Sequence, residues 1–360
     1  MIKLEERRAS IQPIKSKLKI KEVKSMYDIL LLSEQDIKKC IDSKKAIQLV
    51  EDVFRKIGNN QASEDRSKLL DVGEGFICYS AGYAEGTQTN ALIETLYFDN
   101  PLKYKLKSSF GLSLLFDSKT GVPLSVMSCY DYIEAITTSC ASAVTAKYLA
   151  KRDSNRLAII GAGHQAASHF MAMRELFNWE EVRVVSRTSE TRERFVENMG
   201  KYGIKILPTN SVEEAVKESD IVILVTTADA PLIKKDWIER GMLILKVGSY
   251  QEMEPEILLT ADKVVVDSWD YIKKRSKEIG LLLKQGLISE GELEEKKFLY
   301  AELPEIVAGR NRGRENDSEA IVSIQLGLCA DYAAIATHVY HCAVATGLGK
   351  RFNLISGETV

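Results

Sequence analysis

The stretch LAIIGAGHQA, residues 157–166, decides the fold that we predict for this chain. Four apolar residues, typical of a buried strand, are followed at once by a Gly-x-Gly-x-x-Ala turn and the start of a helix. Gly161 would form the tight turn, Gly163 would let backbone N–H groups approach a pyrophosphate, and Ala166 would let the helix pack closely on the strand. The pyrophosphate would lie at the positive end of the helix that begins near His164.

The residues after this turn supply the rest of a βαβ unit. Residues 166–177 have helical spacing, and residues 182–185 form a second β-branched run. Strand, helix and strand fit within about 30 residues, as a dinucleotide-binding Rossmann unit requires. Apolar runs at 221–225, 242–247 and 264–267 are typical of further parallel strands. We therefore predict an α/β fold with a doubly wound parallel Rossmann sheet; the alternative is a glycine-rich turn in another kind of α/β protein.

The remainder of the chain has a different pattern. Residues 68–129 alternate short β-like runs with turns, and residues 117–121 indicate a hairpin. A helical pattern rich in small residues covers 130–150 and leads into the first Rossmann strand. The Rossmann strands are predicted to be complete by about residue 267, and residues 320–346 are predicted to be a helix that returns to the first domain.

Composition excludes several classes of partner. Lysine and arginine total 49 against 51 acidic residues, a net charge of -2 that gives no reason to expect nucleic acid or a membrane surface. No apolar run approaches the roughly 20 residues of a membrane span, and the N-terminus lacks a signal-peptide core. A cytoplasmic location is therefore expected. The six cysteines form no CxxC pair and no cluster of zinc spacing, so no metal site is predicted.

The residues after the second Rossmann strand bear on cofactor choice. They are Ser186, Arg187 and Thr188, with no acidic group where an NAD site usually places one against the ribose 2′-hydroxyl. An arginine flanked by hydroxyls suits a 2′-phosphate. We therefore predict NADP(H) in preference to NAD(H); the alternative is that Arg187 is a solvated loop residue.

The chain resembles the ornithine cyclodeaminase and mu-crystallin family from about residue 31 to residue 349. The resemblance is carried, beside the glycine turn, by several stretches in the family's order: DSKTGVP (117–123), SAVTAKYLA (142–150), VSRT (185–188), DIVILVTT (220–227), GMLILKVG (241–248) and ADKVVVDS (261–268). A weaker likeness, in residues 281–303 and 313–317, points to the branch that makes precursors of 2,3-diaminopropionate. The resemblance implies hydride transfer between NAD(P) and the α-carbon of an amino or imino acid.

The resemblance also implies the domain plan and the cofactor residues. Residues 1–145 with 318–360 would form a substrate-binding and dimerisation domain of α+β type, residues 146–317 would form the inserted NAD(P)-binding domain, and the protein would be a homodimer. The residues that match the family's nucleotide site are Gly161, Gly163, His164, Gln165 and Ala166 in the phosphate turn, Ser186, Arg187 and Thr188 at the ribose, and Thr226, Thr227, Val247 and Gly248 at the nicotinamide end.

At two positions where family enzymes bind the substrate, this chain has a different kind of residue. Thr137 stands where family enzymes place an arginine against the substrate carboxylate, and Leu92 stands where they place a lysine. Either another cation holds the acid, with Arg66 and Lys68 as candidates, or the substrate is a carrier-bound, peptide-bound or other derivative without a free carboxylate.

Tyr250 occupies the position of the aspartate that transfers protons in the cyclodeaminases. It is a candidate hydrogen-bond donor or acid, and the alternative is that it packs over the cofactor edge. The family's structural glutamate is expected among Glu252, Glu254 and Glu256, with Glu256 the best match.

We predict an NAD(P)(H)-dependent oxidoreductase that acts on a C–N bond of a small amino-acid or imino-acid derivative. It would reduce an imine or oxidise an amino-acid derivative. One alternative is a cyclodeaminase of the ornithine or lysine type. Another is a non-catalytic, crystallin-like protein that binds NADPH.

Overall fold

The computed structural model describes residues 28–96, 98 and 100–354, without the side chains of residues 66, 67, 101 and 102. Its strands, in chain order, are β1 (Asp28–Leu32), β2 (Ala62–Asp71), β3 (Phe76–Ala84), β4 (Thr89–Leu96), β5 (Phe110–Phe116), β6 (Pro123–Ser128), β7 (Arg156–Ile160), β8 (Glu181–Val185), β9 (Ile206–Thr209), β10 (Ile221–Leu224), β11 (Asp229–Ile233), β12 (Leu243–Val247), β13 (Gln251–Met253), β14 (Lys263–Val266), β15 (Ala301–Glu302), β16 (Ile321–Gln325) and β17 (Lys350–Asn353).

The α-helices alternate with these strands mainly in the second half of the described chain. They are α1 (Glu34–Lys38), α2 (Ser43–Gly58), α3 (Asn100–Lys103), α4 (Ile133–Leu149), α5 (His164–Met173), α6 (Ser189–Gly200), α7 (Val212–Val216), α8 (Ile257–Thr260), α9 (Trp269–Arg275), α10 (Lys277–Lys284), α11 (Glu290–Glu294), α12 (Leu303–Val307) and α13 (Cys329–Thr346).

The first sheet contains strands from both ends of the described chain. Its order is β17-β1-β6-β5-β4-β3-β2, with antiparallel pairs except for β1 and β6. The predicted hairpin turn at residues 117–121 joins β5 to β6, as expected. One face of the sheet packs against α13 and α2, and α4 packs against both of these helices. The inner face buries Leu92 and Leu115, as expected for strands with one face on the core.

The second sheet is the predicted Rossmann sheet. All its strands are parallel, in the order β15-β14-β16-β12-β10-β7-β8-β9. Its central strands β7, β10 and β12 are almost wholly buried, because helices cover both faces. α4 packs against α5 and β12, and thereby connects the two sheets. The prediction of an α/β fold with a parallel Rossmann sheet is confirmed.

One strand corrects the predicted organisation. Residues 321–325 were expected to be helical, but they form β16, which lies between β12 and β14 in the middle of the parallel sheet. The Rossmann strands are therefore not complete at residue 267, and a boundary at residue 317 would separate β16 from its own sheet. All five residues of β16, Ile-Val-Ser-Ile-Gln, are buried, and a buried strand this short, just before an Ala- and Ile-rich helix, is not separated from that helix by periodicity alone.

Candidate active site

The phosphate turn follows β7, at the carboxyl edge of the parallel sheet. Gly161 has a φ of +117°, and a Cβ atom added there would lie 2.5 Å from the carbonyl oxygen of Val225, which follows β10. Its backbone N–H donates to the carbonyl of Val185 at 2.8 Å. The turn is thus held between two neighbouring strands, and only glycine satisfies both its dihedral angle and its space.

The helix that follows the turn leaves its N-terminus open. α5 begins at His164, and its N-cap residue, Gly163, provides no side-chain cap. A Cβ atom added to Gly163 would meet no atom within 4 Å, while Ala166 is fully buried against the sheet. Uncapped first-turn N–H groups and an open space before them suit an anionic diphosphate. The residues present therefore fit the dinucleotide that the turn predicts.

The loop after β8 contains the predicted ribose residues. Thr188 is the N-cap of α6 and its hydroxyl accepts from Thr191 N–H at 3.4 Å, while Ser186 Oγ donates to the carbonyl of Thr188 at 2.9 Å. Both hydroxyls therefore take part in the cap. The Arg187 side chain is exposed and is the cation that this loop presents to solvent.

The loops after β10 and β12 form the predicted nicotinamide end. The N–H and the hydroxyl of Thr226 both donate to Glu252 Oε1, each at 2.7 Å. Gly248, with a φ of +92°, donates its N–H to the carbonyl of Gln325 at 2.9 Å. Val247 is half-buried and Thr227 is exposed. These contacts give the two loops a fixed arrangement beside β16.

A buried charged cluster lies behind these loops. Lys246, Glu252 and Glu278 are each fully buried. Lys246 Nζ donates to the carbonyl of Gly248 at 2.6 Å and lies 3.6 Å from Glu278 Oε2. Burial lowers the pKa of Lys246 and raises the pKa of Glu252 to about 7. The sequence signal that we missed is a lysine inside the apolar run of β12.

Of the three glutamates in residues 252–256, Glu252 is the one that contacts the loops of the site. Glu254 and Glu256 are only half-buried, whereas Glu252 is fully buried and bonded to Thr226. Glu252 is therefore the glutamate of this segment with a structural role, because β13 pairs with β11 and turns Glu252 inward, whereas the match of Glu256 to the family's glutamate stays a prediction.

Two further acids, not predicted from the sequence, lie near each other, and one of them contacts the phosphate turn. Glu134 lies in the first turn of α4, and its Oε1 accepts from Gln165 Nε2 of α5 at 2.6 Å. Nearby, the imidazole of His164 is bonded to the carbonyl of Asp131. Glu94, in β4, lies opposite Gly111 of β5. Burial raises the pKa of Glu94 to about 7, and burial together with the charge of Glu94 raises the pKa of Glu134 to about 8.

The predicted substrate residues do not all converge on this region. Thr137 is 2% exposed, and its hydroxyl donates to the carbonyl of Ile133 within α4 at 2.6 Å. The Lys68 side chain is 58% exposed and pairs with Asp65 at 3.1 Å, because its register opposite Tyr79 places it on the outer row of the sheet. Arg66 lies at the register shift of β2, and its side chain lies outside the described part of the chain.

Tyr250 stands two residues beyond Gly248. Its side chain is half-buried, and Lys277 Nζ lies 5.6 Å from the centroid of its ring. Two negative findings hold for the described residues. No group of three His, Cys, Asp or Glu side chains is arranged to hold a metal ion, and none of the helices is long and apolar enough to cross a membrane.

Comparison with known proteins identifies this arrangement. The family model described as ornithine cyclodeaminase/mu-crystallin family matches residues 28–347. The chain is 33% identical over 259 residues to N-((2S)-2-amino-2-carboxyethyl)-L-glutamate dehydrogenase of Staphylococcus aureus, covering 71% of this chain and 75% of that protein.

Solved structures agree with this match. The chain is similar to Thermococcus litoralis Δ(1)-pyrroline-2-carboxylate reductase in complex with NADH and L-proline, with 36% identity, a TM-score of 0.83 and coverage of 89% of this chain and 99% of that one. It is also similar to an archaeal alanine dehydrogenase dimer with bound NAD, with 27% identity, a TM-score of 0.84 and coverage of 91% and 100%.

These matches extend over the phosphate turn, α4 and the parallel sheet. The predicted activity, a nicotinamide-dependent oxidoreductase acting on a C–N bond, is confirmed as a reaction class by these relatives, and the chain belongs to the ornithine cyclodeaminase/mu-crystallin family.

Proposed function

We propose that this protein reduces the C=N bond of an imino acid, or oxidises the corresponding amino-acid derivative, at the junction of α4 and α5. The observation that carries the proposal is the 2.6 Å hydrogen bond from Gln165 to Glu134. It joins the phosphate turn directly to a helix of the other domain, so the bound nucleotide and the substrate would meet there. The reductase and dehydrogenase relatives act on small amino or imino acids, which supports this substrate class.

The chain's own residues would bind and orient the reactants. The first turn of α5 would hold the diphosphate, Arg187 would contact the ribose, and the Thr226 and Gly248 loops would flank the nicotinamide. When bound, the nicotinamide supplies or accepts the hydride. Protein groups then position the reacting carbon against it and exclude water. Tyr250, two residues beyond Gly248, is our candidate hydrogen-bond donor to the substrate.

The substrate carboxylate needs a partner other than the family's clamp. Thr137 is neutral and its hydroxyl is bonded within α4, and Lys68 lies on the outer face of its sheet. We therefore propose Arg66, the remaining candidate cation, as the residue that holds a free carboxylate. If the substrate is a carrier-bound or peptide-bound derivative, Arg66→Ala leaves KM unchanged; if it is a free acid, KM rises.

The test of the proposed function is an assay of substrate-dependent NAD(P)H oxidation. The purified protein is given NADPH or NADH with Δ(1)-pyrroline-2-carboxylate, with pyruvate plus ammonium, and with open-chain imines formed from α-keto acids and amines. We expect turnover with at least one imine, and deuterium transfer from labelled nucleotide to the product carbon. Tight nucleotide binding without turnover on any of these would contradict the proposal and favour a crystallin-like binding protein.

We propose NADP(H) as the preferred cofactor because Arg187 is exposed beside a loop without an acidic residue. Arg187→Ala should lower kcat/KM for NADPH about 10-fold to 100-fold, the loss of one charge-assisted contact, and leave kcat/KM for NADH unchanged. Arg194→Ala, an exposed arginine further along α6, is the matched control. Equal effects of Arg187→Ala on both nucleotides, or a wild-type preference for NADH, would overturn this assignment.

We propose a homodimer formed by the outer face of the first sheet. Tyr79, Ile93 and Leu112 lie in register across β3, β4 and β5 and are 47%, 42% and 49% exposed. A contiguous row of exposed apolar side chains is typical of an interface, and the two-fold symmetry of a dimer would cover both copies of it.

Ile93→Asp should therefore convert the dimer into a monomer, because each dimer would bury two unpaired carboxylates at this face. Light scattering coupled to size exclusion measures the mass. Leu259→Asp, at a residue that is 40% exposed in α8 of the other domain, should leave the dimer intact. A dimer that persists in Ile93→Asp would place the interface elsewhere.

A further inference from the structure

We infer that Glu94 and Glu134 together form the acid that protonates the substrate nitrogen during imine reduction. This inference rests on the proposed function and assigns its proton donor. The two residues lie 40 positions apart in the sequence, on β4 and α4. In the fold they are close enough for the charge of Glu94 to raise the pKa of Glu134, which bonds Gln165 beside the phosphate turn.

Contacts of Glu134 set the position of the pair. Its Oε1 accepts from Gln165 Nε2, so one oxygen is directed at the helix end that would hold the diphosphate. The carbonyl oxygen of Gln165, Oε1, is buried and has no hydrogen-bond partner among the described atoms. A buried carbonyl oxygen without a donor is disfavoured. A nitrogen-bearing substrate that enters here would supply the missing N–H.

Contacts of Glu94 leave it free to act on a ligand. Within the described residues, its carboxyl makes no hydrogen bond and no ion pair, although it faces the protein interior. Gly111, opposite Glu94 on β5, provides the space: a Cβ atom there would lie 3.2 Å from Glu94 Cγ and 3.2 Å from the backbone nitrogen of Tyr130. Glu134 is anchored and Glu94 is not, so Glu94 is the member that can move toward the substrate.

The charges around the pair favour a shared proton. Among the described residues, the groups that face it are Cys129 just after β6, Asp131 before α4, Thr138 on α4, Gln165 on α5 and Tyr332 on α13. None of these is a cation, and the lysine beside them, Lys107, is paired with Asp131. The pKa values of the Cys129 thiol and the Tyr332 hydroxyl are raised well above their usual values by burial, so both stay neutral.

Two carboxylates so placed cannot both ionise at neutral pH without cost. Burial raises the pKa of Glu94 to about 7 and that of Glu134 to about 8. A general acid is most effective when its pKa lies near the working pH. Thr137 is neutral and Leu92 is apolar, at positions where the resemblance implies cations. Neither side chain can therefore stabilise the ionised form of the two carboxyl groups.

The proposed step balances as follows. A hydride supplied by the bound dihydronicotinamide, which would be oxidised, would form a C–H bond at the imine carbon as the C=N π bond breaks. The electron pair of that bond takes the carboxyl proton of Glu94, which forms the N–H bond of the amine product. Glu94 is left as a carboxylate, and solvent water returns its proton before the next turnover.

The first test compares wild type with Glu94→Gln and Glu134→Gln in imine reduction from about pH 5 to pH 9. Wild-type kcat should fall as pH rises through about 7 to 8, because the acid must be protonated. Each variant should lose roughly 10²-fold to 10⁴-fold in kcat together with that falling limb. Glu94→Asp should restore part of the rate, and KM for the nucleotide should stay unchanged.

Glu302→Gln is the matched control. Burial also raises the pKa of Glu302, but this residue lies on the edge strand β15 of the parallel sheet, where its carboxylate accepts from the N–H of Trp269 at 3.1 Å. It should keep wild-type kcat and pH dependence. Glu94→Gln or Glu134→Gln variants that retain both kcat and the falling limb would overturn the assignment.

A second measurement does not depend on turnover. Infrared difference spectra of wild type minus the double variant Glu94→Gln/Glu134→Gln should show the band of a protonated carboxyl at pH 7. The same difference taken with Glu302→Gln in place of wild type should retain that band. Absence of the band overturns the inference even if imines are reduced. If the band is present but the protein reduces no imine, the result supports a proton shared by Glu94 and Glu134 and rejects only the proposed substrate class. A midpoint of thermal unfolding equal to that of wild type establishes that Glu94→Gln and Glu134→Gln are folded.

Discussion

Gly161→Ala should destabilise the protein by about 2 to 6 kcal/mol and abolish nucleotide binding. At a φ of +117° an alanine is strained, at a cost of about 1 to 3 kcal/mol. Its Cβ would lie 2.5 Å from the carbonyl oxygen and 2.9 Å from the carbonyl carbon of Val225, and backbone atoms of β10's loop cannot move aside as a side chain can. Overpacking of this kind costs about 1 to 3 kcal/mol more. Thermal unfolding and fluorescence titration with NADPH measure the two effects.

Gly163→Ala separates these effects. Its φ of -84° suits any residue, and its added Cβ meets nothing within 4 Å. Stability should therefore stay within about 0.5 kcal/mol of wild type. Nucleotide affinity should nevertheless fall at least about tenfold, because the methyl group would lie where the diphosphate must approach the first-turn N–H groups. Wild-type unfolding of Gly161→Ala, or wild-type affinity of Gly163→Ala, would contradict the site.

Glu278→Ala should lower the free energy of unfolding by about 3 kcal/mol, because it removes the main partner of a fully buried lysine. The penalty should depend on pH. Burial lowers the pKa of Lys246, and without Glu278 it falls further, so the unfolded chain binds more protons than the folded one and stability rises with pH. Urea unfolding at about pH 6 and pH 9 should show the larger loss at the lower pH.

The double variant Lys246→Met/Glu278→Leu tests the origin of that loss. It removes both charges and keeps apolar volume, so it should recover most or all of the wild-type stability. Lys246→Met alone leaves Glu252 and Glu278 buried without a cation and should be destabilised. A double variant as unstable as the sum of the two single ones would mean that the pair does not interact as the 3.6 Å separation implies.

The same cluster connects stability to the site. Lys246 bonds the carbonyl of Gly248, and Glu252 bonds Thr226, so each buried charge holds one of the two loops at the nicotinamide end. A buried ionic group of this kind orients flexible backbone at some expense of stability. Its members lie on β12, β13 and α10, which come together only in the folded protein.

Much of the fold was predictable because it depends on local features of the chain. The glycine turn, the helix of α5 and the strand β8 each follow from the spacing of a few consecutive residues. The turn at 117–121 is equally local. Where the local pattern was ambiguous, prediction failed: β16 has only five residues, all of them buried, and it shortly precedes the Ala- and Ile-rich pattern of α13, so periodicity alone does not separate it from that helix.

The sequence by itself determined the parallel sheet and the phosphate turn at Gly161, because both follow from the identities and spacing of neighbouring residues. Only the tertiary structure decided that Lys68 faces outward, that Lys246 is paired with Glu278, and that Glu134 accepts a hydrogen bond from Gln165. Those facts depend on which faces of distant elements pack together, and on how far that packing excludes water from the charges between them.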